Sequence, residues 1–185
     1  MNAPSAELHI PIALQQAVGG VLRNAHAGAL PPFARTLGLP QAALLEVLRC
    51  CLPRLATDAI PERKYAALTH HMPALFDEVL ALLVAQRTPD AEPLHVEWLA
   101  RAIAAACMGN RFLWQDLGLA GRDDVGVLLQ RYFQPLYDAN REDLKWKRFI
   151  FLQLGARKKP AGPPALENIE GLAVLPTLTN PGTVR

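Results

Sequence analysis

The sequence predicts an all-α protein, built as a single compact helical domain of about six helices. Hydrophobic residues make up 51% of its 185 residues, which is enough for one core. Most of them are Leu and Ala, which favour helices, and only 6% of the chain is aromatic. Proline and glycine separate the apolar segments. We expect a helical domain over residues 8–154 and a basic, Pro/Gly-rich, flexible tail over residues 155–185.

Three helices are predicted in the first half of the chain. Apolar residues recur at helical spacing over residues 12–27, although Gly19 and Gly20 weaken the middle of this segment. Residues 40–53 are bounded by prolines, which are favoured in a first helical turn and cannot continue a helix. Residues 73–88 carry a wide apolar stripe, which indicates a central position in the core.

Three further helices are predicted in the second half. Residues 93–109 are rich in alanine, which allows a neighbouring helix to approach closely. A helix follows from Arg122, and Pro135 marks its end or a kink. Asn140 is predicted to cap the last helix, with acidic residues in its positive first turn and Gly155 as its C-terminal stop.

Composition and charge exclude several classes of protein. A net charge of +2 is too small for a nucleic-acid-binding domain with a dominant basic face. No stretch approaches the roughly 18 consecutive apolar residues of a membrane span, and the N-terminus lacks the basic region and cleavage site of a signal peptide. Three cysteines, two of them adjacent, fit a reducing compartment. We therefore expect a soluble, cytoplasmic protein that contacts neither nucleic acid nor membrane.

Positive charge is concentrated toward the C-terminus. From residue 141 onward there are eight Lys or Arg and four Asp or Glu, a balance of +4, so that residues 1–140 carry −2. Such a run is either a solvated surface or an interaction site for an acidic partner or an oxyanion. Composition leaves both interpretations open.

The usual catalytic motifs are absent, so we expect no enzyme. His70 and His71 are adjacent, and on a helix their side chains diverge by about 100°, so they are interpreted as surface or capping residues. Cys50 and Cys51 lie on an apolar helix face and are interpreted as core residues. Cys107 lies near a helix end and is the most interesting thiol, but as a nucleophile it has no histidine base that the sequence places beside it.

Two stretches show a resemblance to a known family. Residues 102–119 read AIAAACMGNRFLWQDLGL, and residues 133–154 read FQPLYDANREDLKWKRFIFLQL. In this order and at this spacing they resemble the NifQ family of nitrogen-fixation accessory proteins over about residues 98–154. The most specific parts are Ala106-Cys107-Met108-Gly109, Leu113-Trp114-Gln115-Asp116-Leu117-Gly118, Asn140 and Lys145-Trp146-Lys147.

The resemblance implies a protein that binds an iron–sulfur–molybdenum species and helps to deliver molybdenum to nitrogenase cofactor assembly. The family does so through a cysteine-rich C-terminal segment, whose soft thiolates suit such clusters. Residues 155–185 contain no cysteine, and Phe112 stands where the family often has histidine. We therefore expect a degenerate metal site and no cofactor, unless ligands other than the family cysteines hold molybdenum or an iron–sulfur species. The expected partner is another protein of metallocofactor assembly.

Five candidate cofactor-binding residues follow from the resemblance and the charge pattern: Cys107, Gln115, Asp116, Lys145 and Lys147. The lysines, with the neighbouring Arg148, are suited to an oxyanion or an acidic partner near a helix N-terminus, and Gln115 and Asp116 would orient them. Positions 145, 147 and 148 fan over about 300° of a helix, so we expect only one or two of them to face a site.

A purely structural interpretation of the same motifs remains open. Trp114, Leu117, Trp146 and Phe149 are equally suited to anchoring the core, with Asp116 and Asn140 capping helices, and Trp98 is also expected to be buried. Two functions follow. The first is a NifQ-like accessory protein that lacks the family's own cluster, and the alternative is a metal-free helical protein-interaction module descended from that family.

Overall fold

The chain is helical throughout the part that can be described. A computed structural model describes residues 10–53 and 60–158, and within these ranges it contains helices and turns but no strand. The helices are α1 (Ile12–His26), a 3-10 helix (Pro32–Thr36), α2 (Gln41–Cys51), α3 (Glu62–His70), α4 (Ala74–Ala85), α5 (Pro93–Cys107), α6 (Leu113–Asp116), α7 (Arg122–Tyr132), α8 (Gln134–Ala139) and α9 (Trp146–Lys158). The predicted all-α class is confirmed. Most of the predicted tail, residues 159–185, lies outside the described residues, as do residues 8 and 9.

All six predicted helices are present, but the expected number was too low because three short helices were missed. Helix α3 buries only Tyr65, so it shows no apolar stripe. Helix α6 has four residues, too few for a periodic pattern. Pro135 ends the preceding segment as predicted, but it also lies in the first turn of α8, where a missing N–H costs nothing.

The predicted boundaries of the last helix were wrong at both ends. Asn140 does not cap it; instead the side chain accepts a hydrogen bond from the Leu144 N–H at 2.9 Å and donates one to the Leu144 carbonyl at 3.0 Å. These bonds hold a loop in which Asp143 has a φ of 49°, and α9 begins only at Trp146. Gly155 lies inside the helix and does not end it.

Helix α5 is the central element of the core. Residues 102–106 of this helix are completely buried, and four of the five are alanine. Small side chains allow α1 and α4 to lie close to α5, and both pack against it. Leu99 and Ile103 fill the remaining space around it. Because α5 is fixed on both sides, its C-terminal residue Cys107 has a fixed position as well.

Two of the three tryptophans are buried as predicted, and one is not. Trp98 is 3% exposed and Trp146 is 7% exposed. The Trp146 ring lies 5.8 Å from the ring of Tyr137 and 6.2 Å from that of Phe149, in the geometries that aromatic pairs prefer. Trp114 is only half-buried, because α6 lies at the surface and presents this ring to a cavity.

Gly20, which weakened the predicted first helix, is explained by a close contact between α1 and α6. A Cβ atom at position 20 would collide with the backbone carbonyl of Leu117 and with the backbone of Gly118. Gly118 has a φ of 65°, the left-handed conformation that glycine adopts without strain. The two glycines thus allow the turn after α6 to rest on α1.

Among the described residues, no single helix is long and apolar enough to cross a membrane, although the bent pair α3 and α4 would pass on length and composition together.

We expect Gly20→Ala to lower the free energy of unfolding by about 3 kcal/mol, the upper end of the cost of overpacking, because the added methyl meets rigid backbone. The matched control is Gly126→Ala in α7, where the new Cβ would make only an ordinary contact with Tyr137. The control should be neutral or stabilising by up to about 1 kcal/mol, as alanine is in a helix interior. Urea unfolding followed by circular dichroism measures both, and equal effects would contradict the close contact.

Candidate functional site

Helix α6 places the Leu-Trp-Gln-Asp motif against α1. The amide group of Asn24 in α1 donates hydrogen bonds to the carbonyl oxygens of Gln115 at 3.0 Å and Asp116 at 2.9 Å. The side chain of Gln115 accepts a hydrogen bond from the Phe112 N–H at 3.1 Å and so closes the start of α6. These bonds satisfy backbone groups at both ends of a very short helix. The backbone at Asp116 is therefore held by hydrogen bonds that do not involve its carboxylate.

The Asp116 carboxylate is completely buried and is held by two cations. Arg111 Nε donates to Oδ1 at 2.8 Å, and Lys147 Nζ donates to Oδ2 at 2.6 Å. Lys147 also donates to the Gly109 carbonyl at 2.8 Å. A Cβ atom on Gly109 would collide with Oδ2, so glycine is needed there. A buried charge is tolerated only when it is paired and hydrogen-bonded, and Asp116 meets both conditions.

Asp116 was one of the predicted site residues, but its interpretation as a helix cap was wrong. The carboxylate bonds side chains from the α5–α6 loop and from α9. It thus joins the partly exposed Arg111, Lys147 and the end of α5 into one unit around a buried carboxylate.

Cys107 lies beside this unit but is closed off from solvent. Its side chain is 4% exposed, and burial raises the pKa of its thiol to about 12, with Asp116 raising it further and Lys147 opposing the shift. At neutral pH the residue is a protonated thiol, whereas metals and electrophiles react with the thiolate. Cys107 therefore contributes a buried apolar group to the described structure, and it would have to lose its proton before it could bind a metal.

Lys145 and Gln115 lie outside the buried unit. The Lys145 ammonium is 5.0 Å from the centre of the exposed Phe112 ring, a cation–π distance. Of the five predicted residues, the structure brings Cys107, Asp116 and Lys147 together in the interior. Lys145 and Gln115 line an adjacent cavity, and Lys147 also contributes to its wall.

This cavity has a volume of about 480 Å³ and lies between the α5–α6 loop, α6, and the start of α9. Five cations and no carboxylate line it, and we call it the basic cavity. The lining residues are Asn110, Arg111, Phe112, Leu113, Trp114, Gln115, Arg122, Val125, Lys145, Trp146, Lys147 and Arg148. Its wall therefore combines aromatic rings with positive charge.

The charges around the basic cavity are only partly neutralised. Arg111 and Lys147 share the single carboxylate of Asp116, and the exposed Asp143 pairs with Arg122 at 2.5 Å, so two carboxylates pair with three of the five cations. Within residues 10–53 and 60–158, Lys145 and Arg148 form no ion pair. The two side chains lie at the N-terminal end of α9, where the helix dipole adds further positive potential. The cavity is therefore suited to an anion.

Sequence reasoning did not find Arg111 and Arg122 as part of the site. Arg111 is separated from Asp116 by one turn of chain, and Arg122 reaches the cavity only because α7 packs beside α6. Neither position belongs to a recognisable charge pattern. The only sequence signal for Arg111 is its place two residues before the Leu-Trp-Gln-Asp motif.

The other residues considered as metal ligands are not gathered into a site. His70 and His71 are exposed, and their rings meet edge to face at 5.2 Å. Cys51 is buried, and burial followed by the neighbouring Cys50 raises the pKa of its thiol to about 12. Over the described ranges, no group of three or more His, Cys, Asp or Glu side chains is arranged to hold a metal ion.

Comparison with known proteins places the chain in a family. The sequence profile of the NifQ family matches residues 17–161, which include every described residue of the site. The chain belongs to the NifQ family. This membership confirms the resemblance carried by residues 102–119 and 133–154.

Curated NifQ proteins of three bacteria are among the relatives. Protein NifQ of Azotobacter vinelandii is 33% identical over 130 residues, and the match covers 64% of this chain and 64% of that protein. Protein NifQ of Rhodobacter capsulatus is 31% identical over 77 residues, with 42% of each chain covered. Protein NifQ of Klebsiella pneumoniae is 36% identical over 55 residues, which is 30% of this chain and 33% of that protein. No solved structure gives a significant match.

We expect Cys107 to resist alkylation in the folded NifQ chain. With a thiol pKa of about 12, only about one molecule in ten thousand carries the thiolate at pH 8, and the sulfur is buried as well. Iodoacetamide labelling followed by peptide mass spectrometry should modify Cys107 in urea but not in the native protein. The half-buried Cys50 serves as the internal control and should react first. Equal labelling of Cys107 in the native and unfolded chains would contradict this description of the site.

Proposed function

We propose that this chain is a NifQ-like accessory protein of molybdenum and iron–sulfur cofactor assembly for nitrogen fixation, and that its basic cavity holds an anionic molybdenum species as cargo. One observation carries the proposal. The cavity is lined by five cations and no carboxylate, and two of the cations, Lys145 and Arg148, have no ion-pair partner in the described structure. An anion that enters a cavity with this excess of positive charge reduces the repulsion between its cations.

The cavity offers charge-assisted hydrogen bonds rather than metal–ligand bonds. The guanidinium of Arg148 presents a planar set of donors, and the Lys145 ammonium acts as a point charge, which together suit the oxygens of an oxyanion. The rings of Phe112, Trp114 and Trp146 give the remaining wall a polarisable surface, suited to the softer sulfur atoms of a sulfido-molybdenum species. Binding of this kind is reversible, as transport of a cargo requires.

We propose that the chain has no cluster of its own. Residues 1–185 contain three cysteines, and Cys107 and Cys51 are buried with thiol pKa values of about 12. A typical iron–sulfur cluster takes about four thiolates. The cargo is therefore held by Lys145 and Arg148, not by sulfur ligands from the chain.

The proposed role is binding and transfer without catalysis. Cys107 is protonated at neutral pH, and the charged groups beside it are Lys147 and Asp116, which are already bonded to each other. A nucleophile needs a free base or a lowered pKa, and this thiol has the opposite shift. The expected partner is another cytoplasmic protein of metallocofactor assembly, with no part for nucleic acid or membrane.

The second candidate function, a metal-free protein-interaction module, is favoured by a different observation. Phe112, at the mouth of the basic cavity, is 50% exposed, and exposed aromatic rings are common anchors in protein interfaces. In that case an acidic side chain of the partner would occupy the cavity. The two functions differ in whether the isolated chain retains molybdenum.

We expect the purified chain to bind molybdate, and Lys145→Ala and Arg148→Ala each to weaken binding about tenfold, the value of one charge-assisted hydrogen bond. Arg63→Ala, which removes an exposed cation on α3, is the control and should bind like the parent. Anaerobic equilibrium dialysis with elemental analysis, with and without iron and sulfide, measures the retained metal.

Three results would count against the proposed function. Molybdate retained equally by the parent and by the Lys145→Ala/Arg148→Ala double variant would place the cargo elsewhere. Failure of the parent to retain molybdate would favour the metal-free module. Near-stoichiometric iron in a monomer would contradict the absence of a cluster.

A further inference from the structure

The outward side of α9 carries apolar and basic residues that no described element covers. Arg148, Phe151, Leu152 and Gly155 fall on one side of the helix, at spacings of three, four and seven residues. Phe151 is 37% exposed and Leu152 is 51% exposed. Lys145, one residue before the helix, is exposed and lines the basic cavity together with Arg148. We call these five residues the α9 face.

Gly155 is the least expected member of the α9 face. Glycine in a helix interior is destabilising relative to alanine by about 0.5–1 kcal/mol. Here no described atom lies within 4 Å of a Cβ built at position 155, and no positive φ requires glycine. Gly20 differs, because a side chain there would collide with the turn after α6. The described fold gives no reason for Gly155, whereas a second helix lying across this face would.

The positive charge of α9 restricts which kinds of segment can pack on the α9 face. Helix α9 contains four Lys or Arg and no Asp or Glu, and Lys145 adds a further cation before its first turn. Arg148 and Lys145 form no ion pair with a described residue. A basic segment would be repelled, and a neutral apolar one would leave both cations without a partner when it covered them. An acidic, amphipathic segment satisfies the apolar and the charged residues together.

We propose that the α9 face docks an acidic amphipathic helix of a partner protein. Aliphatic side chains of that helix cover Phe151 and Leu152, its carboxylates pair with Arg148 and Lys145, and Gly155 gives the two helix backbones room to approach. The surface reaches the rim of the basic cavity but extends beyond it along α9. Lys145 and Arg148 also line the basic cavity, whereas Leu152 and Gly155 do not. Docking is therefore measured without molybdate, and variants of Leu152 and Gly155 distinguish failure of docking from failure of the proposed function.

The probe is a synthetic amphipathic peptide of about 18 residues, or five helical turns, with Leu on one face and Glu on the other. A counterpart with Lys in place of every Glu keeps the same apolar face. Fluorescence anisotropy of the labelled peptides against the full chain should show binding of the Glu peptide only. Binding should weaken as salt is raised, because charge pairs contribute to it.

Three variants test the face, and each has a reason to remain folded. Arg148→Glu reverses an exposed charge, Leu152→Ser removes an exposed side chain, and Gly155→Gln replaces glycine by a better helix former in open space. Each should weaken binding of the Glu peptide about tenfold or more, as loss of an interface anchor does. Gly155→Gln should melt at the same temperature as the parent or higher, which separates loss of docking from loss of folding.

Matched controls change the same residue types elsewhere. Arg63→Glu on α3 and Leu75→Ser on α4 also alter exposed positions and should bind the Glu peptide like the parent. The proposal is overturned if the Glu and Lys peptides bind equally, if neither binds, or if the α9 variants bind like the controls. It is also overturned if sedimentation shows a dimer of the parent that Leu152→Ser dissociates, because the covering helix would then come from a second copy of this chain.

Discussion

The buried carboxylate of Asp116 is the constraint on which the site depends. Its two oxygens accept hydrogen bonds from Arg111 in the loop after α5 and from Lys147 in α9, while the backbone of its own helix is held by Asn24 of α1. Removing a carboxylate from water is costly, and only paired cations recover that cost. Folding of the domain therefore brings these segments together around the carboxylate.

The buried carboxylate divides the cations of the basic cavity into those that it binds and those that can bind a ligand. Arg111 and Lys147 both line the basic cavity, and both are bonded to the single carboxylate of Asp116. Lys145 and Arg148 lie on either side of Lys147 in sequence but remain at the surface without a described carboxylate. The buried carboxylate of Asp116 thus fixes the start of α9. Lys147 points toward the interior to reach Asp116, whereas Lys145 and Arg148 remain exposed.

The sequence could predict the elements and residues whose signal is local, and it failed where the signal depends on the path of the chain. Helix α5 is predicted by the spacing of its own apolar residues. The two motifs that contain Asp116 and Lys147 were enough to predict both as site residues. Asn140 was predicted to cap a helix because an asparagine side chain can bond the backbone at a helix start or within a loop. The structure shows the second arrangement. Arg122 could not be found, since only the packing of α7 beside α6 brings it to the cavity.

A double-mutant cycle between Asp116 and Lys147 tests the central claim most directly. The free energy of unfolding is measured in urea for the parent, Asp116→Asn, Lys147→Met and the double variant, with the exposed pair Asp143 and Arg122 as a reference cycle. A coupling of at least about 2 kcal/mol is expected for the buried pair, against less than about 1 kcal/mol for the exposed one. Equal and small couplings in both cycles would contradict the claim that this carboxylate organises the site.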